Sequence, residues 1–289
     1  MKKMLIIGGS GLLGQRLVDY FDKKYSVVGT YHNRHPDVAS TFVHMNITNK
    51  ENILSCFEDI CPDIVVLSAA FTNVDKCEIE KKMAYKVNVA GIKDVCKQIE
   101  KYNAKCVYVS TDYVFDGKKG NYVETDSVNP INFYGETKKE AEDIVSFICS
   151  DFLILRPSVI FGIEKPNFVT WVIDSLKKKQ QINIVTDQFV SPTLNVDFGL
   201  QLDALLRADQ QGVFHCSGGE RINRFDFSCE IADVFNLEKQ LINPISMDDL
   251  NWMAKRPIDS SLNVTKISDF QKPMPVRKAL MVLKKEISK

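Results

Sequence analysis

The stretch Tyr134-Gly-Glu-Thr-Lys138, inside NPINFYGETKKEAEDIVSFI, sets a phenol and an amine four residues apart. A helix opened near Pro130 would place Tyr134, Lys138, Ala141, Val145 and Ile148 on one face, because their spacings alternate between four and three. Lys138 then lies on the inward stripe. Lysine is seldom buried without a partner, and a phenol with an ordinary pKa of about 10 is a poor one at neutral pH. The residues alone leave two explanations open: a frayed first turn whose lysine snorkels to water, or a pairing that serves a chemical purpose.

A second group with chemical use opens the chain. In GGSGLLG, Gly8, Gly11 and Gly14 follow a short apolar run and precede a helical pattern. Glycines at such a junction let the backbone turn tightly and approach a pyrophosphate, whose charge meets the unpaired N–H groups of the helix start. Ser10, Leu12 and Leu13 share this loop and are expected to face the same cofactor. The spacing is Gly-x-x-Gly-x-x-Gly, a departure from the common dinucleotide fingerprint, so the strand-before, helix-after context carries the reading. The second strand ends GTYHNRHPD, with His32, Asn33 and Arg34 where an acid would bind the adenosine ribose. A basic residue there suits a 2′-phosphate and favours NADP, with NAD as the alternative.

These groups need elements to hold them. Short apolar runs at 4–8, 25–31, 63–69, 105–111 and 152–158 alternate with helical patterns such as Leu13, Leu17 and Phe21, or Met83, Val87, Ala90, Val95 and Ile99. Strands apolar throughout and separated by helices imply a parallel sheet covered on both faces, an α/β fold of the Rossmann, doubly wound type. Ligands bind such sheets beyond the carboxyl ends of the strands, so the loops after 8, 31, 69 and 111 should line the site. After residue 158 the alternation breaks into loops. A dinucleotide-binding domain is expected over 1–160 and 190–217, with a smaller substrate-binding lobe over 161–189 and 218–289. The tail spaces Val276, Leu280, Leu283 and Ile287 as one helical stripe, read as a docking helix.

Composition limits the partners. Across 289 residues, 45% are hydrophobic and 26% charged, which is ordinary globular usage. Thirty-seven basic residues balance thirty-seven acidic ones, so no net field is available to hold nucleic acid or an anionic membrane. A small-molecule partner is favoured, and a homodimer is left open. Eight cysteines form no Cys-x-x-Cys pair and read as reduced core thiols of a cytoplasmic protein. The four histidines lack zinc spacing, and no structural metal is expected. The opening MKKMLIIGG imitates a signal peptide, but glycines interrupt its apolar run, and no run approaches the ~18 residues of a membrane span.

Taken together, GGSGLLG, STDYVFDG, NPINFYGETK and RPSVIFG resemble an extended short-chain dehydrogenase/reductase. AAFTNVDKCE, TDQFVSPT, FHCSG and KRPIDSSL are most similar to the dTDP-4-dehydrorhamnose reductase family. The resemblance runs to about Leu262 with the motifs in the family's order. It implies an NADPH-dependent oxidoreductase of dTDP-rhamnose biosynthesis, with a nucleotide-linked 4-keto-6-deoxy sugar as substrate. It places the catalytic residues at Thr111, Tyr134 and Lys138. Lys138 would bond the nicotinamide ribose and lower the pKa of Tyr134, which would protonate the ketone oxygen while Thr111 hydrogen-bonds it. By the same resemblance Asn46 and Ile47 contact adenine, and Ala69 and Ala70 pass the ribose and nicotinamide side. Arg256 would hold the diphosphate, and Thr111, Asp112 and Tyr113 would border the sugar.

Within this resemblance, dehydratase relatives use Thr-Asp-Glu where this chain has Thr111-Asp112-Tyr113. Without the second carboxylate, β-elimination lacks its base, so ketone reduction is preferred. Asp112 is expected to be structural or substrate-orienting. Two departures, RPSVIFG where the reductases often have Arg-Thr-Ser/Ala-Trp, and Val190 in QFVSPT, border the sugar pocket. An epimerase on the same scaffold is the alternative enzyme. A non-catalytic NADP-binding subunit, resembling the regulatory subunit of methionine adenosyltransferase, is the alternative of another class.

Overall fold

The computed structural model describes residues 1–38 and 40–288. The chain begins β1 (Lys3–Ile7), α1 (Leu12–Phe21), β2 (Ser26–Tyr31), β3 (Phe42–His44), α2 (Lys50–Ile60) and β4 (Ile64–Leu67). Then come α3 (Val74–Ile79), α4 (Lys81–Tyr85), a π-helical turn (Lys86–Gly91), α5 (Ile92–Lys101), β5 (Lys105–Val109), α6 (Phe133–Ile148), β6 (Phe152–Arg156) and β7 (Ser158–Phe161). The remainder is α7 (Phe168–Lys177), β8 (Ile182–Val185), β9 (Phe189–Val190), β10 (Pro192–Leu194), α8 (Asn195–Arg207), β11 (Gly212–His215), β12 (Ile222–Asn223), α9 (Arg224–Phe235), β13 (Ile242–Ile245), α10 (Thr265–Ser268) and α11 (Val276–Ile287).

Seven strands form one parallel sheet in the order β11-β6-β5-β4-β1-β2-β3. The five apolar runs read from the sequence are β1, β2, β4, β5 and β6, and the sheet is doubly wound as expected. The order reverses between β1 and β4, so the loops after these strands diverge and leave a crevice. Alternate residues of each strand enter opposite cores: Leu5, Ile7, Val65 and Leu67 pack toward α2, α5 and α6, while Met4, Ile6, Ile64 and Val66 pack toward α1 and α8. β3 was not foreseen, because its three residues are too few to show a period.

The helical stripe expected from Met83 to Ile99 breaks at the π-helical turn. The extra residue in that turn rotates the phase. Ala84, Asn88 and Val89 are buried, whereas Met83 is exposed and, with Val87, faces the crevice.

A third apolar core lies beyond the sheet, where Val169, Ile173 and Leu176 of α7 meet Phe227 and Ile231 of α9 and Val276, Leu280 and Leu283 of α11. α11 docks as anticipated, except that Ile287 is exposed. Among the described residues every cysteine is a free thiol. Cys96, Cys106 and Cys149 bring their sulfurs within 4.8 Å of one another in the core, a convergence their spacing does not show. No described helix is long and apolar enough to cross a membrane.

Candidate active site

The crevice at the strand reversal is a cleft of about 890 Å³, within the size range of small-molecule sites. Gly8, Ser10, Gly11, Leu12, Leu13 and Gly14 form one wall of it. Gly8 has φ +85°, and a Cβ there would stand 2.5 Å from the amide nitrogen of Ala69. At Gly14 a Cβ would meet the Gly8 carbonyl oxygen at 2.1 Å, so these two glycines let the loop close on β4 and on the helix start. The loop is also sewn to the end of β2: the Gly8 amide donates to Thr30 Oγ1 at 3.1 Å, and the Ser10 amide to the Thr30 carbonyl at 3.1 Å. Gly11 caps α1 with no side-chain hydrogen bond, which leaves the first N–H groups of the helix, at cleft-lining Leu12, Leu13 and Gly14, without a side-chain cap. This cradle fits a dinucleotide pyrophosphate.

Along the rest of the wall, Asn33 follows β2, Asn46 and Ile47 follow β3, and Ala69 and Ala70 follow β4. The Asn46 side-chain Oδ1 accepts from the Thr48 amide and hydroxyl, at 2.9 Å each. Arg34 is exposed and stands outside the lining, where His32 and Asn33 take its place. Asn88, which sequence reasoning missed, is buried in the π-helical turn. It accepts from the Phe71 amide at 2.7 Å and donates to the Phe71 carbonyl at 3.2 Å and to Thr137 Oγ1 at 3.1 Å. One side chain thus ties the loop after Ala70 to α6.

α6 begins at Phe133 rather than near Pro130. Asn132 is its cap, accepting from the Gly135 amide at 2.8 Å. Tyr134 and Lys138 share the inward face, both buried and both on the cleft. Lys138 Nζ donates to the Val109 carbonyl at 2.7 Å and lies 4.1 Å from the centre of the Tyr108 ring. Snorkelling is therefore not how this lysine is accommodated. Burial brings its pKa down to about 7, opposed by the charge of Glu142. Tyr134 moves the other way. Burial holds its phenol above the ordinary value, with the Thr111 hydroxyl as the largest opposing influence. The expected pull of Lys138 on the phenol is opposed here by desolvation, the largest influence on both groups.

Thr111 caps a short 3₁₀ turn (Asp112–Val114), accepting from the Tyr113 amide at 3.2 Å and donating to Asp112 Oδ1 at 3.1 Å. Asp112 lines the cleft, yet its other oxygen is held by the hydroxyls of Ser158 at 2.8 Å and Ser260 at 2.6 Å. Burial raises its pKa against these donors. Three hydroxyls on one carboxylate make Asp112 a tie between the end of β5, β7 and the 260 segment. Tyr113 is buried beside Tyr134, ring centres 6.2 Å apart, and accepts from Gln188 Nε2 at 3.5 Å.

Two further features shape the sugar end. Ser158 pairs with Pro192 and Ile160 with Thr193, so Val159 is the extra residue of a β-bulge, with φ +43°, and it lines the cleft. A β-branched residue in the left-handed region is strained, and bulges beside sites re-aim side chains. Arg256 lies outside the cleft lining and forms a two-pronged pair with Asp75, at 3.1 and 2.8 Å, which lowers the Asp75 pKa against burial. Arg224, also missed from sequence, is half-buried. It donates to Gln188 Oε1 at 3.2 Å, and its charge acts on both Asp112 and Tyr113. Its only signal was a basic residue in the loop-like CSGGERINRF.

A cradle for a pyrophosphate, a buried Tyr–Lys pair on one helix and a threonine at the adjoining strand end agree with the family that the motifs suggested. The model of the RmlD substrate binding domain matches residues 1–287. The chain belongs to this family, that of the dTDP-4-dehydrorhamnose reductases. The dTDP-4-dehydrorhamnose reductase of Aggregatibacter actinomycetemcomitans is 32% identical over 92% of each chain. Methionine adenosyltransferase 2 subunit beta of Xenopus tropicalis is 29% identical, over 92% of this chain and 81% of its own. The solved structure of dTDP-4-dehydrorhamnose reductase from Bacillus anthracis in complex with NADP superposes with a TM-score of 0.90. It is 28% identical and covers 99% of this chain and 100% of that one.

Proposed function

We propose that this protein is an NADPH-dependent reductase of a nucleotide-linked 4-keto-6-deoxy sugar. The observation that carries the reading is the convergence of Thr111, Tyr134 and Lys138 at the mouth of a dinucleotide cradle. The reductases among its relatives support the substrate class. Bound along the glycine loop and the Ala69–Ala70 edge, the nicotinamide cofactor supplies the hydride. The protein's residues supply the rest. A phenol held above its ordinary pKa stays protonated at neutral pH, so Tyr134 enters the reaction as an acid and gives its proton to the ketone oxygen. Thr111 offers its hydroxyl to the same oxygen, and Lys138 stands one helical turn away to balance the charge left on Tyr134.

In this reading residues 161–189 and 218–289 form the substrate-facing lobe, and Arg256 and Arg224 are its cations for the diphosphate. Arg256 would exchange its Asp75 carboxylate for a phosphate of similar geometry. Free thiols at all eight cysteines support a cytoplasmic location. The relationship to methionine adenosyltransferase 2 subunit beta supports a second reading, a non-catalytic NADP-binding subunit. Mixing NADPH with a panel of nucleotide-linked 4-keto-6-deoxy sugars separates the two: absorbance at 340 nm falls in proportion to sugar for a reductase. Tight NADPH binding with no loss for any sugar would favour the subunit.

A further inference from the structure

Below the Tyr134–Lys138 pair lies a buried polar network that the proposed chemistry does not use. Glu142 is one turn further along the same face of α6 and is 5% exposed. Its Oε1 accepts from Ser110 Oγ at 2.5 Å and from Arg156 Nε at 2.9 Å, and its Oε2 accepts from an Arg156 terminal nitrogen at 2.6 Å. The other Arg156 nitrogen lies 3.5 Å from His215 Nε2, and the guanidinium sits 5.2 Å from the Phe115 ring. The end of β5, α6 and β6 therefore meet at one carboxylate, and β11 joins the network through Arg156.

Its attachments are specific to the active site. Ser110 stands between Val109, whose carbonyl holds the Lys138 amine, and Thr111, whose hydroxyl acts on Tyr134. A bond on Ser110 fixes the register of both neighbours. Charge points the same way. Around Lys138 stand Glu142 on its own helix and the Tyr108 ring on β5, with Tyr134 and Asp112 lining the same cleft, and Arg156 on β6 and His215 on β11 behind Glu142. Burial takes the His215 pKa down to about 3, so that ring is neutral. Among these groups, Glu142 is the one whose charge raises the Lys138 pKa.

We propose that Glu142 is a positioning residue for the reaction: clamped by Arg156, it fixes Ser110 and sets its carboxylate one helical turn from Lys138. The proposal rests on the reductase reading for its consequence in turnover, while its effect on the lysine itself can be followed without substrate.

Two variants and two readouts test it. Glu142→Gln removes the charge but strands Arg156, so it risks misfolding. The Glu142→Leu/Arg156→Met double variant removes both charges and replaces a buried pair with apolar groups, an exchange that is often neutral for stability. Carbon-13 NMR of labelled lysine follows the Lys138 titration directly, and the pH profile of kcat follows it through turnover. In the double variant the Lys138 midpoint is expected to fall by about one pH unit, the lower end of what a nearby charge does. The alkaline limb of kcat should move down by the same amount. A pair that serves structure alone would leave both midpoints at their wild-type values once the double variant folds, and that result would overturn the proposal. A shifted NMR midpoint in a protein that oxidises no NADPH with any sugar would instead count against the reductase reading alone.

Discussion

Lys138 Nζ is 2.7 Å from the carbonyl oxygen of Val109, the last residue of β5. Helix α6 thus presses its amine onto the strand end from which Thr111 emerges, and the amine is buried there at a cost. With a folded pKa of about 7 against an ordinary 10.5, the folded state binds fewer protons than the unfolded one between these values. Stability therefore rises with pH across that window, and the full cost is present below pH 7. Lys138→Met removes this cost, several kcal/mol in order of magnitude, and loses a carbonyl hydrogen bond of ~1 kcal/mol. The variant should melt above wild type at pH 6, with the gap closing toward pH 10. A variant that melts lower at pH 6 contradicts the burial argument.

Tyr134→Phe deletes the proton donor and little else, since the ring keeps its place beside Tyr113. Turnover should drop by about 10²–10⁴-fold while NADPH affinity changes less than threefold by fluorescence titration, as expected for a positioned acid. Unchanged turnover would remove Tyr134 from the mechanism.

Cofactor choice is expected to be read at the end of β2, where Asn33 lines the cleft and Arg34 does not. Asn33→Asp introduces the acid that binds a ribose diol and repels a 2′-phosphate. The ratio of kcat/KM for NADPH over NADH should fall at least ~10-fold, a difference of about 1.4 kcal/mol. A constant ratio would place the 2′-phosphate elsewhere.

Asp197 offers a test remote from the cleft. Its Oδ2 accepts from the Met274 amide at 2.8 Å and Gln201 Nε2 at 3.0 Å, while Oδ1 is buried with no partner. Burial raises its pKa from 3.8 to about 6. A folded pKa above the unfolded one means stability falls as pH rises through this window and stays reduced above it. Asp197→Asn should therefore be more stable than wild type at pH 7.5 by roughly 2–3 kcal/mol, with no advantage near pH 3.5, by urea denaturation. Equal effects at both pH values would refute it.

The sheet was legible because five strands are apolar throughout and the helices between them are periodic. Lys138 was legible as inward because α6 keeps that period for four turns. The three residues of β3 and the π-helical turn were not, since one is too short for a pattern and the other shifts phase inside one. The cradle could be placed from glycine spacing, but Arg34 could not be told from Asn33 without the direction of the loop after β2. Asn88, Glu142 and Arg224 escaped for a common reason. Each is a polar residue whose meaning lies in a partner far along the chain: Phe71 for Asn88, Arg156 for Glu142 and Gln188 for Arg224. The balance of pKa influences was equally hidden, because sequence spacing shows a lysine beside a tyrosine but not how deeply both are buried.

The central claim, hydride transfer to a sugar ketone with Tyr134 as the acid, is tested most directly by following the label from NADPH deuterated at C4 of the nicotinamide. The protein is mixed with a nucleotide-linked 4-keto-6-deoxy sugar, and the product is read by mass spectrometry and proton NMR. The account predicts one deuterium at the former ketone carbon for each NADPH consumed, and loss of that product in Tyr134→Phe. Sugar product formed without net NADPH consumption, or with no deuterium at that carbon, would contradict it.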